Sequence, residues 1–215
     1  MIRNSIDTDT SVLMKLVHGL PFFAIDQLAN FNLKPTYLRI LLSRYESNSK
    51  LIRLKKGLYV SKLYIETLEK RNNLAFYDEF LSGIIYKPSY LSFEYILYQH
   101  NLLTEIPSNF TCATLNKTMA FQNSFGVFFY HSIKKELFTG YKTIFQNGWM
   151  INKASKAKAL FDFLYIRKNS IVNREALDEL RLNLDELTKK DKLEIEKYGK
   201  MVQSKKLTWI LKELL

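Results

Sequence analysis

Apolar residues recur at helical spacing over residues 10–20, where Val12, Leu13, Leu16, Val17 and Leu20 form one stripe and Pro21 closes the run. A second, shorter helix is predicted over 24–31, with Ile25, Leu28 and Ala29 inward and Asp26 near its positive end. Asn32, Leu33 and Lys34 read as a turn. A third helix is predicted over 35–47. Pro35 suits a first turn, because its missing N–H would have no intrahelical partner. Leu38, Leu41, Leu42 and Tyr45 make its inward stripe; Thr36, Arg39, Ile40, Ser43 and Arg44 face outward. The stretch LIRLKKGLYV at 51–60 then alternates apolar and basic residues and predicts a hairpin. Its turn falls near Lys55–Gly57, where glycine relieves a positive φ.

Beyond residue 62 the periods change. A helical pattern covers 63–86, and Ser92 with Glu94 suits a helix start running to His100. Extended runs follow in FTCATL, SFGVFFYHSI, GYKTIFQ and GWMIN, punctuated by NS, TG and NG turn signals. A helix over 155–167 would bury Ala159, Leu160, Phe163 and Leu164 and leave Lys156 and Lys158 in solvent. Helical segments over 173–180, 184–198 and 205–215 complete a tail starting at about residue 169. The fold class is therefore α+β: an N-terminal winged helix-turn-helix over 1–62, then a mixed α/β domain over 63–215 with a helical C-terminal tail.

Three short helices followed by a basic hairpin is the winged helix-turn-helix order, in which the third helix enters the major groove of DNA. Lys34, Thr36, Tyr37 and Arg39 would reach base edges. Ser43, Arg44, Lys50, Arg53, Lys55, Lys56 and Lys62 lie on the outward helix face or the hairpin, where cations take phosphates. Each has a plainer reading: Tyr37 packs on the second helix, Lys34 is solvated, and the hairpin cations keep a strand edge soluble. Charge sharpens the choice. The 215-residue chain has a net charge of +11, and residues 1–62 carry ten Lys/Arg against four Asp/Glu. Residues 63–150 balance at seven of each, and residues 151–215 hold fifteen against ten. Concentrated positive charge favours polyanions through counterion release.

Catalytic and metal motifs do not emerge. His18, His100 and His131 belong to no spaced ligand set, and there is no glycine-rich phosphate loop, G-x-S-x-G elbow or H-E-x-x-H. Asp162, Asp178 and Glu179 read as solvated or capping. The single cysteine, Cys112, reads as a small core residue, and the aromatic clusters around Tyr90 and Phe128 read as core. The expectation is a non-enzyme with no cofactor and no metal. No run approaches about 18 apolar residues, and no signal-peptide pattern opens the chain, so a cytoplasmic location and no membrane partner are expected.

The succession of a winged-helix head closing on GLY (57–59), then SYLSFEYILYQHNLLTEIP (89–107), extended runs, and KALFDFLY (158–165) resembles the AbiEi-type antitoxins of type IV toxin–antitoxin and abortive-infection systems. The chain departs from that pattern at Lys156 and Ala157, where a Pro-Glu pair is expected, and at Asn101, where a glycine often follows the helical histidine. The resemblance implies a sequence-specific DNA-binding repressor that binds its own promoter, often at inverted repeats, through residues 35–44 and 50–62. It also implies antitoxin activity of the second domain against a nucleotidyltransferase-like toxin. It names no antitoxin residues and leaves the oligomeric state open. The rival reading is a protein-interaction module that neutralises a partner by direct contact, with weak DNA affinity.

Overall fold

The computed structural model describes residues 2–29, 31, 33–74 and 76–215, with side chains from Thr10 onward. Asn30, Asn32 and Ala75 lie outside the described residues; they fall in the helix expected over 24–31, the NLK turn and the helical pattern over 63–86. The fold is α+β. The chain divides into two compact units, residues 1–77 with Gln122–Phe125, and Asp78–Phe121 with Gly126–Leu215.

In the first unit, α1 spans Ile2–Val17 and ends before Pro21 as its sequence demands, but it begins well before Thr10. Leu13, Met14 and Val17 bury, whereas Val12 and Leu16 point to solvent; the apolar stripe is narrower than the spacing implied. The second helix is replaced by β1 (Phe23–Ala24) and a single 3-10 turn at Ile25–Leu28. Tertiary pairing overrides local propensity here, because Phe23 is opposite Tyr59 in an antiparallel ladder and its ring stacks on Tyr59 at 5.9 Å. Helix α2 (Pro35–Ser47) begins on Pro35 and buries Leu38, Leu41 and Leu42 as expected, with Tyr45 half-buried. The hairpin follows as β2 (Leu51–Lys55) and β3 (Leu58–Ser61), giving a three-stranded sheet in the order β1-β3-β2. Gly57 sits in its turn at φ +78, and a Cβ there would also touch Ile25 at 3.5 Å.

The first unit extends past the expected boundary at Lys62. Helix α3 (Lys62–Lys70) buries Ile65 and Leu68, and the Tyr77 hydroxyl donates to the Pro21 carbonyl at 2.5 Å. The helical pattern over 63–86 is split between α3 and α4 (Tyr77–Ile85). Asn72 takes a left-handed φ of 53 and the Asn73 N–H donates to the Leu68 carbonyl, which closes α3 as asparagine caps do.

The second unit is a six-stranded mixed sheet with helices. Its elements in chain order are β4 (Ser89–Leu91), α5 (Phe93–Gln99), β5 (Phe110–Thr114), β6 (Met119–Asn123), β7 (Gly126–Ser132), β8 (Tyr141–Gln146) and β9 (Trp149–Ala154). Then come α6 (Lys156–Arg167), α7 (Arg174–Asp178), α8 (Lys189–Val202) and α9 (Lys205–Leu214). The strand order is β6-β7-β5-β4-β9-β8. The four extended runs read from sequence are β5, β7, β8 and β9; β4 and β6 had no periodic signal. Asn147 and Gly148, both at positive φ, make the predicted NG turn between β8 and β9. The helix expected over 184–198 begins only at Lys189, because Thr188 and Asp191 form a capping box there. Cys112 is fully buried, and that burial pushes its thiol up to about 12.

Two sequence expectations about charge are overturned on α6. Lys158 and Asp162 have no exposed surface, because every position from Ala157 to Leu164 on α6 is buried. Asp162 is ion-paired with Lys158 and accepts hydroxyl hydrogen bonds from Tyr90 at 2.9 Å and Ser92 at 2.8 Å. The Lys158 ammonium lies 5.2–5.8 Å from the ring centroids of Tyr90, Phe161 and Tyr198, a cation–π cage. Gly140 makes room for it, since a Cβ there would fall 2.1 Å from the Tyr198 hydroxyl. Burial pushes the Asp162 carboxyl up and the Lys158 ammonium down, and their mutual attraction opposes both shifts.

Removing one partner strands a buried charge, so Asp162→Ala is expected to cost about 3–5 kcal/mol in urea unfolding. Lys158→Met with Asp162→Leu should cost less than Asp162→Ala alone; a larger loss in the double variant would show that the pair contributes net stability. His131 supplies a pH test. Burial lowers its pKa below the ordinary 6.5, and its ring packs edge-on to Phe93 at 4.9 Å. Its contribution is full above about pH 6.5 and is lost as pH falls through the lower folded value, because the unfolded chain binds the proton more readily. Unfolding free energy should therefore decline more steeply below pH 6.5 in the parent than in His131→Gln.

Candidate nucleic-acid interface

Helix α2 presents its outward stripe because the inward one is committed to the core. Leu38 and Leu42 join Leu13, Val17, Phe23, Leu28 and Leu51 in one cluster. At 100° per residue this leaves Thr36, Arg39, Ile40, Ser43 and Ser47 on the opposite face, all exposed. Arg39, Ile40, Ser43, Arg44 and Ser47 border one shallow depression of about 480 Å³. Ile40 among them is 66% exposed. Its outward position was legible from the helical period, but its apolar character kept it out of a list built on polar and charged groups. An exposed apolar side chain flanked by donors is the kind of group that meets a thymine methyl.

The end of α2 fixes where the next cations go. The Asn48 N–H donates to the Arg44 carbonyl, the Ser49 N–H to that of Glu46 and the Lys50 N–H to that of Tyr45, with Ser49 at φ 55. These bonds turn the chain directly into β2. The Lys62 N–H donates to the Lys50 carbonyl at 3.0 Å, so the base of the hairpin brings Lys50 and Lys62 side by side. Tyr37, Arg44, Lys50 and Lys62 line a groove of about 660 Å³, together with Lys15 of α1 and His18 just after it, which the sequence reading did not select. The eleven selected residues are thus distributed over adjoining places. Thr36, Arg39 and Ser43 lie on the outward stripe, and Arg44 borders both stripe and groove. Lys34 is the residue before α2, exposed at its N-terminus.

The hairpin carries the remainder. Arg53 is exposed and stands opposite Tyr59 in the ladder, and Lys56 is exposed in the two-residue turn beside Gly57. Lys55 is half-buried at the end of β2, where the register shifts. Burial raises the Tyr59 phenol above its ordinary pKa, an effect the Arg53 charge reduces.

The ion pairs of the described residues lie in the second unit. Among the described residues, Lys34, Arg39, Arg44, Lys50, Arg53, Lys56 and Lys62 have no carboxylate within ion-pair distance. In the second unit, Lys153 pairs with Glu79 at 2.6 Å, Lys156 with Asp191 at 3.2 Å and Arg174 with Asp178 at 3.0 Å. Arg167 pairs with Glu94, and Lys158 with Asp162. Five of the fifteen Lys/Arg over residues 151–215 thus have a carboxylate partner, whereas the seven named cations of the first unit have none.

No group of three or more His, Cys, Asp or Glu side chains among the described residues is placed to hold a metal ion. No helix among them is long and apolar enough to cross a membrane. No protein-family model matches this chain, and no curated protein matches it.

Proposed function

We propose that the first unit is a winged helix-turn-helix that binds duplex DNA sequence-specifically, and that the chain is a cytoplasmic repressor and antitoxin of a type IV-like system. The observation that carries the DNA reading is the set of seven unpaired cations on and around α2 and the hairpin. Leaving so many like charges unmatched costs self-repulsion, and a polyanion removes that cost. The element order supports the same reading: a helix, a strand, a short helical turn, a second helix and a hairpin whose β3 pairs with β1. In this proposal the α2 stripe enters the major groove, Arg39 reads a base edge, and Arg53 and Lys56 take phosphates.

The antitoxin and autoregulatory parts rest on the resemblance. What favours them is that its two principal strings meet: Tyr90 and Ser92 from the first hydrogen-bond to Asp162 of the second. In this reading the second unit opposes a nucleotidyltransferase-like toxin, and two heads on inverted repeats read half-sites about one helical turn apart.

Titrating the chain onto duplex DNA from upstream of its own reading frame, with a shuffled duplex beside it, tests the DNA reading. A preference of about a thousandfold or more is expected, with a steep salt dependence. Arg39→Ala should cost about 1–3 kcal/mol on the specific duplex and relax specificity. Arg53→Ala with Lys56→Ala should weaken both duplexes alike and flatten the salt slope. Equal weak binding to both duplexes would remove sequence-specific repression and favour neutralisation of a partner by direct contact.

A further inference from the structure

The groove beside α2 has features that duplex DNA does not require. We infer that it is a separate binding site for a ribonucleoside triphosphate, built from α1, α2 and α3 of the first unit. Its volume of about 660 Å³ is within the range of small-molecule sites. Lys15 from α1, Arg44 from α2, Lys50 after α2 and Lys62 from α3 bring four cations to one concavity, none with an ion-pair partner among the described residues. That is enough charge to match a triphosphate, which one helix face alone could not surround.

Three further groups narrow the ligand. Thr10 lines the groove, and its hydroxyl oxygen is buried behind that surface with no hydrogen-bond partner. A buried polar atom left unmade costs stability, and a ligand atom in the groove would supply the missing bond. Glu66 also lines the groove. A carboxylate there repels a phosphodiester backbone but accepts well from a ribose diol, which deoxyribose lacks. Tyr37 is half-buried and presents a ring as a wall for a base, and the Tyr45 ring already carries the Lys50 ammonium at 5.5 Å from its centroid. Phosphates, ribose and base each meet a group of matching chemistry.

One consequence rests on the proposed DNA binding: Arg44, Lys50 and Lys62 would serve both ligands, so a bound nucleotide would withdraw cations from the DNA and weaken repression. Binding to the groove itself needs no DNA, and the two readings can therefore fail separately.

Calorimetric titration of ATP into the full chain without DNA, at about 0.1 M salt, tests the site, with tripolyphosphate and adenosine titrated in parallel. Saturable binding of one ATP per chain is expected, tighter than either fragment. Lys15→Ala with Glu66→Gln should weaken it at least about tenfold, and Arg39→Ala should leave it unchanged. Thr10→Val, which removes one hydroxyl and keeps the shape, should weaken it in the same direction. Absence of saturable binding would overturn the site, as would unchanged affinity in Lys15→Ala with Glu66→Gln. Equal losses in that variant and in Arg39→Ala would reduce the heat to general polyanion affinity, and tripolyphosphate binding as tightly as ATP would overturn the nucleotide assignment.

Discussion

A carboxylate without exposed surface must have its lone pairs met from within the protein, and Asp162 draws on three elements to do so. Lys158 comes from one turn earlier on α6, Tyr90 from β4, and Ser92 from the junction of β4 with α5. The arrangement fixes how α6 lies against the sheet, because sliding the helix by one residue would leave the carboxylate unpaired in an apolar interior. Around the ammonium, the aromatic faces of Tyr90, Phe161 and Tyr198 supply the negative potential that water would otherwise provide. Tyr198 ties in α8, and its hydroxyl donates to Glu194, which also accepts from Ser155 at the start of α6. A single buried charge pair thus has consequences for strands, loops and three helices of the second unit.

The first unit solves a different problem. Its hydrophobic core draws on α1, β1, the 3-10 turn, α2 and the hairpin, with no buried ion pair among the described residues. Seven of its cations, Lys34, Arg39, Arg44, Lys50, Arg53, Lys56 and Lys62, have no carboxylate partner among the described residues. A domain that needed only solubility could have interspersed carboxylates among them at no structural cost. The buried Lys158–Asp162 pair of the second unit has no counterpart among these cations, whose charge lies at the surface.

Much of this was legible from local pattern. The bounds of α2, the hairpin turn on Gly57, the strands β5, β7, β8 and β9, and the burial of Cys112 all follow from periodicity, turn chemistry and composition. Periodicity also placed Arg39 and Ser43 on the outward face of α2. It did not separate Tyr37 and Arg44, which border the groove, from Arg39, because that distinction depends on where α1 and α3 pack. Phe23 and Ala24 could become a strand only once Tyr59 and Leu58 lay beside them, a pairing across more than thirty residues.

Charged residues mark the limit most clearly. Lys156 and Lys158 look equivalent in sequence, yet Lys156 reaches Asp191 near the surface while Lys158 is sealed in an aromatic cage. Hydropathy assigns a lysine to solvent, since burying an unmatched ammonium is costly, and it carries no record of the partners that remove the cost. The sequence by itself determined the helix and hairpin order and the surplus of positive charge in the head. Only the tertiary structure decided which charges were neutralised internally and which were left without a carboxylate partner, because pairing depends on distances between elements far apart along the chain.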